Sequence, residues 1–194
     1  MQTGQIGQAG PPGAAPEAHE HGGSVQDYFR QVRREVAALV PMTARRILDV
    51  GCGEGMLGRY LLERGADEVV GIEMHAEAAE HAAGHLSSVL VGDVETLPLP
   101  FELGSFDCLI LADVIEHLRD PQAALARLAR LVAPSGVVVA SIPNVRHYSV
   151  LHMMVEGGWT YQPCGILDRT HLRFFTLREM GALFESAGLR VQTR

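Results

Sequence analysis

Five aliphatic runs recur along the chain: RRILDV, EVVGIE, SSVLVGD, SFDCLILAD and GVVVASIPN. Each is a near-continuous run of Val, Ile and Leu rather than an alternation with polar residues, the pattern of strands covered on both faces. Between most of them lie stretches with helical spacing, GMLGRYLLERG, HAEAAEHAAGH and PQAALARLARLVAPSG, and TLREMGALFESAG follows later. Strands alternating with helices predict an α/β fold, a doubly wound, mostly parallel sheet flanked by helices. A leading helix is expected over Val25–Val40, with Tyr28, Phe29, Val32, Val36 and Leu39 on one face and Pro41 ending it. The last residues, LRVQTR, read as a sixth strand.

Residues 1–24 are rich in Gly, Pro, Ala and Gln without apolar periodicity and are expected to form a disordered tail, leaving 25–194 as one domain. They lack the basic start and apolar core of a secretory signal. No apolar run approaches the roughly 20 residues of a membrane span. Three dispersed cysteines, Cys52, Cys108 and Cys164, form no disulfide framework, so a cytoplasmic location is expected. Sixteen basic against 23 acidic residues give a net charge of −7. That balance disfavours nucleic acid as the partner, because protein surfaces that bind nucleic acid are basic.

In open parallel sheets the ligand sits beyond the carboxyl ends of the strands. The unusual residues of this chain fall there: Asp49 to Gly55, Glu73, Asp93, Asp113 and Asn144. The first run ends in DVGCGEG. A dinucleotide turn needs G-x-G-x-x-G, and Met56 stands where its third glycine should be. Gly51, Gly53 and Gly55 instead complete D-x-G-x-G-x-G. Cys52, between two of them, reads as a small residue beside a ligand rather than a nucleophile, for want of an activating base. Glu73 follows Gly51 by 22 residues, where a carboxylate can accept both hydroxyls of a ribose.

The D-x-G-x-G-x-G turn, Glu73 and the segments VGDVETLPL and LPLPFELGSFDCLILADVIEHLRDP resemble class I S-adenosylmethionine-dependent methyltransferases, over about Tyr28 to Gln192. The resemblance implies a Rossmann-like methyltransferase fold and S-adenosylmethionine as cofactor. It implies that Asp49 and the turn at Gly51, Cys52, Gly53 and Gly55 hold the methionine part, and Glu73 the ribose. Met74 would lie against the adenine face, Asp93 and Val94 would bind the adenine edge, and Ala112 and Tyr28 would complete the cofactor pocket. The family has seven strands, and this chain is expected to lack the seventh, with a homodimer as one way to cover the sheet edge.

For the acceptor, about 30 residues separate the fifth strand from the last helix, VRHYSVLHMMVEGGWTYQPCGILDRTHLRFF, long enough to serve as a cover. His117 and His171 are the expected catalytic bases, with His147 and His152 in reserve. The alternative is a divalent metal on Asp113, Glu116, His117 and His171. Asp113 stands three and four residues before Glu116 and His117 and would share their helical face. That set resembles metal-dependent small-RNA 3′-end methyltransferases and, more loosely, ubiquinone-pathway O-methyltransferases, although an Asp replaces the first Glu of E-x-x-E-H. The run IPNVRHYSV…GILDRTHLRFFT resembles bacterial methyltransferases of cell-surface polysaccharide synthesis. Together these imply methyl transfer to a small-molecule or glycan-like acceptor at oxygen, without metal. The rivals are a metal-assisted RNA 3′-end methyltransferase and a non-catalytic cofactor-binding module.

Overall fold

The structure, a computed structural model, describes residues 32–192. The expected tail and residues 25–31 of the expected leading helix, Tyr28 and Phe29 among them, lie outside the described residues. The helix α1 covers Arg34–Leu39. It is followed by β1 (Arg46–Val50), α2 (Met56–Glu63), β2 (Glu68–Glu73), α3 (Ala76–Ala83), β3 (Ser88–Val91) and β4 (Phe106–Ala112). After a 3-10 turn at Ile115–His117 come α4 (Pro121–Ala129), β5 (Val132–Ser141), α5 (Tyr148–Val155) and α6 (Leu177–Ser186).

The strands form one parallel sheet in the order β3-β2-β1-β4-β5. Strand order reverses between β1 and β4, so the crevice beyond Val50 and Ala112 is the topological switch point. Period two along the strands divides the core between the faces. Leu48, Val50, Leu109 and Leu111 pack on one side with Phe106, Leu125 and Leu128. Ile47, Cys108 and Ile110 pack on the other with Val36, Leu61 and Ala82. Fully burying each large apolar side chain stabilises the sheet by about 1.5–3 kcal/mol.

Two elements differ from their sequence patterns. The helix α4 ends at Ala129 rather than running on through VAPSG, because Leu131 is buried and its carbonyl accepts the Phe106 N–H at 3.0 Å. Those residues join β5 as an irregularity, the pairing stepping from Phe106↔Val132 to Cys108↔Val137. Pro134 is tolerated there because β5 lies at one end of the sheet. The expected sixth strand is absent over residues 189–192, and Thr193 and Arg194 lie outside the described residues. The long segment after β5 is not all loop either, since it contains α5. Among the described residues no helix is long and apolar enough to cross a membrane.

Candidate active site

The glycine turn leaves β1 with Gly51, Gly53 and Gly55 at φ 71°, 54° and 82°. L-residues other than glycine are strained there. At Gly51 a Cβ would also meet Val114 Cγ2 at 2.6 Å. The turn is thus held against the loop that follows β4. Cys52 is buried with its Sγ facing Gly71 of β2. Burial, with Asp49 and Glu73 nearby, pushes its thiol pKa far up, which leaves it inert as a nucleophile. Only its backbone lines the turn.

Asp49 is 2% exposed, and its Oδ2 has no hydrogen-bond partner among the described residues. Burial, with a contribution from the Glu73 carboxylate, pushes its carboxyl up to about 7. A buried orphaned acceptor beside a flexible-backbone turn fits a cationic ligand group. Glu73, also buried, accepts the Gly53 N–H at 3.0 Å through Oε2 and the His75 N–H at 2.8 Å through Oε1. Each oxygen keeps a lone pair for further donors. Met74, immediately after it, is exposed.

Beyond β3, the half-buried Asp93 accepts the Glu95 N–H at 2.8 Å. The Val94 N–H donates to nothing among the described residues, while the Val94 carbonyl accepts from Arg127. That turn therefore offers an acceptor and an adjacent free donor, the pairing an adenine edge needs. Ala112 closes β4 opposite Ser141.

Asp113 does not join the glutamate and histidines. Its φ is 54°, so the chain turns before the 3-10 helix begins, and no helical face links it to Glu116. Its carboxylate pairs with Arg33, and the Ser141 hydroxyl donates to Oδ1 at 2.8 Å. Arg33 also donates to Ser141 Oγ at 3.1 Å. The sequence reading missed Arg33 and Ser141, because nothing local marks a contact across 80 residues.

Glu116, His117 and His171 do converge, with ligand atoms within 4.8 Å of one another. The imidazoles meet edge to face at 4.8 Å between centroids. His171 Nδ1 lies 3.0 Å from the Ile166 carbonyl, and His117 Nδ1 lies 3.2 Å from the Thr170 carbonyl. A carbonyl only accepts, so each Nδ1 carries a proton, and in the neutral ring Nε2 presents a lone pair. Burial and the His171 ring lower the His117 pKa, which keeps the ring neutral. Glu116 is 1% exposed with neither carboxyl oxygen hydrogen-bonded among the described residues, and burial pushes it up to about 8. Its Oε1 is 4.0 Å from His171 Nε2. Two lone pairs and a buried carboxyl facing one space fit a divalent cation as a donor set. Phe174 stacks edge-on with Trp159 at 5.3 Å and lies 6.3 Å from the His171 ring, with Tyr161 at 6.2 Å. An aromatic wall thus adjoins the imidazoles. His147 caps α5 and His152 lies 3.9 Å from Glu156, both in exposed positions on that helix.

A family profile described as a methyltransferase domain matches residues 25–194. The chain belongs to the class I S-adenosylmethionine-dependent methyltransferases. Among curated relatives, the ubiquinone biosynthesis O-methyltransferase of Neisseria meningitidis serogroup A / serotype 4A is 33% identical over 158 residues, 77% of this chain and 66% of the relative. The protein of that name from Psychrobacter arcticus is 32% identical over 161 residues, 78% of this chain and 61% of the relative. The chain thus spans about two thirds of the length of these relatives. A Haloferax volcanii methyltransferase solved in complex with the Trm112 methyltransferase activator superposes with a TM-score of 0.67 at 23% identity, over 87% of this chain and 71% of its own. A SAM-dependent methyltransferase from Archaeoglobus fulgidus gives 0.61 at 21% identity, over 86% and 69%. At those identities the likeness establishes the fold alone. The cofactor of this methyltransferase family is S-adenosylmethionine, and the switch-point crevice lies where such a fold receives it.

Proposed function

We propose that this methyltransferase transfers the methyl group of S-adenosylmethionine to a hydroxyl oxygen of a small-molecule or glycan-like acceptor. Asp49 receives the cofactor's ammonium, Gly51, Gly53 and Gly55 admit its methionine part along the Cys52 backbone, and Glu73 accepts the ribose hydroxyls. Asp93 and the Val94 N–H take the adenine edge, with Met74 against its face and Ala112 and Tyr28 completing the pocket. His117 or His171 removes the acceptor proton through Nε2, and the aromatic wall aligns a planar or ring-shaped acceptor with the methyl group. The observation that carries this reading is the pair of imidazoles that meet edge to face, each with its Nδ1 against a backbone carbonyl. The names of the curated relatives agree with oxygen as the nucleophile.

The orphaned Glu116 oxygens favour one variation, in which Glu116, His117 and His171 hold a divalent ion. Such an ion supplies Lewis acidity that lowers the pKa of an acceptor hydroxyl. Asp113 then orders the loop through Arg33 and Ser141 rather than acting as a ligand. The test is label transfer from S-adenosylmethionine to catechols, phenols and hydroxyl-bearing sugars, with and without chelator. Transfer lost in His117→Ala and His171→Ala but kept in chelator supports the metal-free reading. Transfer lost in chelator and restored by Mg²⁺ or Mn²⁺ supports the metal, and no transfer from the wild type to any hydroxyl overturns both.

A further inference from the structure

Arg119 has no part in the assignments above, yet its side chain meets Asp93 and its carbonyl meets Arg173, which closely follows His171. Its guanidinium pairs with Asp93 Oδ2 and donates through Nε to Glu95 Oε2 at 3.2 Å. One side chain thus bridges two carboxylates. Glu95 in turn accepts the backbone N–H of Arg119 at 3.0 Å and of Asp120 at 2.7 Å. The turn after β3 and the turn after the 3-10 helix are clamped together. An ionised carboxylate offers about four lone-pair sites, so Asp93 keeps acceptor capacity after Glu95 and Arg119 have taken theirs.

On its other side, the Arg119 carbonyl accepts Arg173 Nη2 at 2.6 Å. The Leu172 and Arg173 N–H groups donate to the Glu116 carbonyl at 2.9 and 3.0 Å. These two residues directly follow His171. The segment carrying the second imidazole is therefore fastened to the same turn that holds the adenine-side carboxylate.

We propose that Arg119 is a positioning residue that links adenine recognition to the placement of His171. The proposal rests on the cofactor reading above. The planar guanidinium fixes Asp93 Oδ2 beside the Oδ1 that accepts the Glu95 N–H, and so holds the carboxylate in one orientation. An adenine amino group donating to Asp93 tightens this clamp. The Arg119 carbonyl is then held in place, and Arg173 passes that order to the residues beside His171. An exposed ion pair contributes little to stability by itself, so the role of Arg119 shows in selectivity and coupling.

The experiment compares S-adenosylhomocysteine with its purine analogue, in which hydrogen replaces the adenine amino group and N1 stays an acceptor for the Val94 N–H, by calorimetry on the 194-residue chain. Hydrogen exchange at the Leu172 and Arg173 amides is followed in parallel. Wild type should prefer the adenine compound by about tenfold, one hydrogen bond's worth, and binding should slow exchange at both amides by a similar factor. In Arg119→Gln the preference should fall to about twofold and the protection should vanish. Arg119→Lys, which keeps the charge without the fork, should restore only part of the preference. Arg173→Gln should keep the preference and lose the protection. Retention of either effect in Arg119→Gln, or an equal loss of affinity for both compounds, overturns the link alone. A wild-type chain that binds neither compound overturns the cofactor reading and the link with it.

Discussion

Lowering the pH from 7.5 to 5 is expected to weaken S-adenosylhomocysteine binding through the Asp49 carboxyl group. Buried within β1, its Oδ2 without a hydrogen-bond partner among the described residues, that group is pushed up from 3.8 to about 7. The ligand's ammonium needs the ionised form, while its own amino group stays charged below a pKa of about 8. At pH 6 only about one molecule in ten carries the Asp49 charge, and at pH 5 about one in a hundred. The dissociation constant should therefore rise about tenfold for each unit below 7, or about 1.4 kcal/mol per unit. Binding at pH 6 should release close to one proton, visible as a calorimetric enthalpy that depends on the buffer's ionisation heat. The same group shapes stability in the free protein. Its pKa is raised by folding, so its contribution is fully present below pH 3.8 and is lost as pH rises through about 7. The loss amounts to about 4 kcal/mol. Saturating ligand should remove most of that slope. Asp49→Asn should bind weakly at every pH, with no slope below 7. A wild-type affinity that stays flat between pH 5 and 7 would refute the reasoning, as would a slope that survives in Asp49→Asn.

Glu116→Gln should flatten a second part of the pH–stability curve. The wild-type carboxyl, pushed up to about 8 by burial, costs the fold its contribution as pH rises from about 4.5 to 8, and urea unfolding at pH 5 and 8.5 measures the difference. Gly51→Ala should lose about 2–4 kcal/mol by urea unfolding, from the left-handed backbone together with the Val114 clash. Thr176→Ala removes the capping box with Glu179 at the start of α6 and should cost about 1 kcal/mol in thermal or chemical unfolding. Addition of Mn²⁺ should raise the Tm of the wild type but not of His171→Ala if the three-residue donor set holds an ion; equal shifts in both would count against that site.

The sequence by itself determined the parallel sheet, the glycine turn and the carboxylates at the strand ends. These rest on local chemistry: unbroken aliphatic runs mark strands covered on both faces, and D-x-G-x-G-x-G marks a turn that needs left-handed backbone. TLREMGALFESAG announced α6 by its helical spacing, for the same local reason. The tertiary structure decided what those residues touch. Asp113 was grouped with Glu116 by spacing, but a positive φ turns it toward Arg33 and Ser141, while Glu116, His117 and His171 close together without it. The irregular start of β5 followed from the burial of Leu131 and pairing with Phe106, which no helical pattern in VAPSG could signal. The Asp93–Arg119–Arg173 connection joins three chain segments through one exposed side chain and one carbonyl. Period and spacing carry information over a few residues, whereas burial and pairing across 24 to 80 residues depend on how the sheet brings its loops to one end.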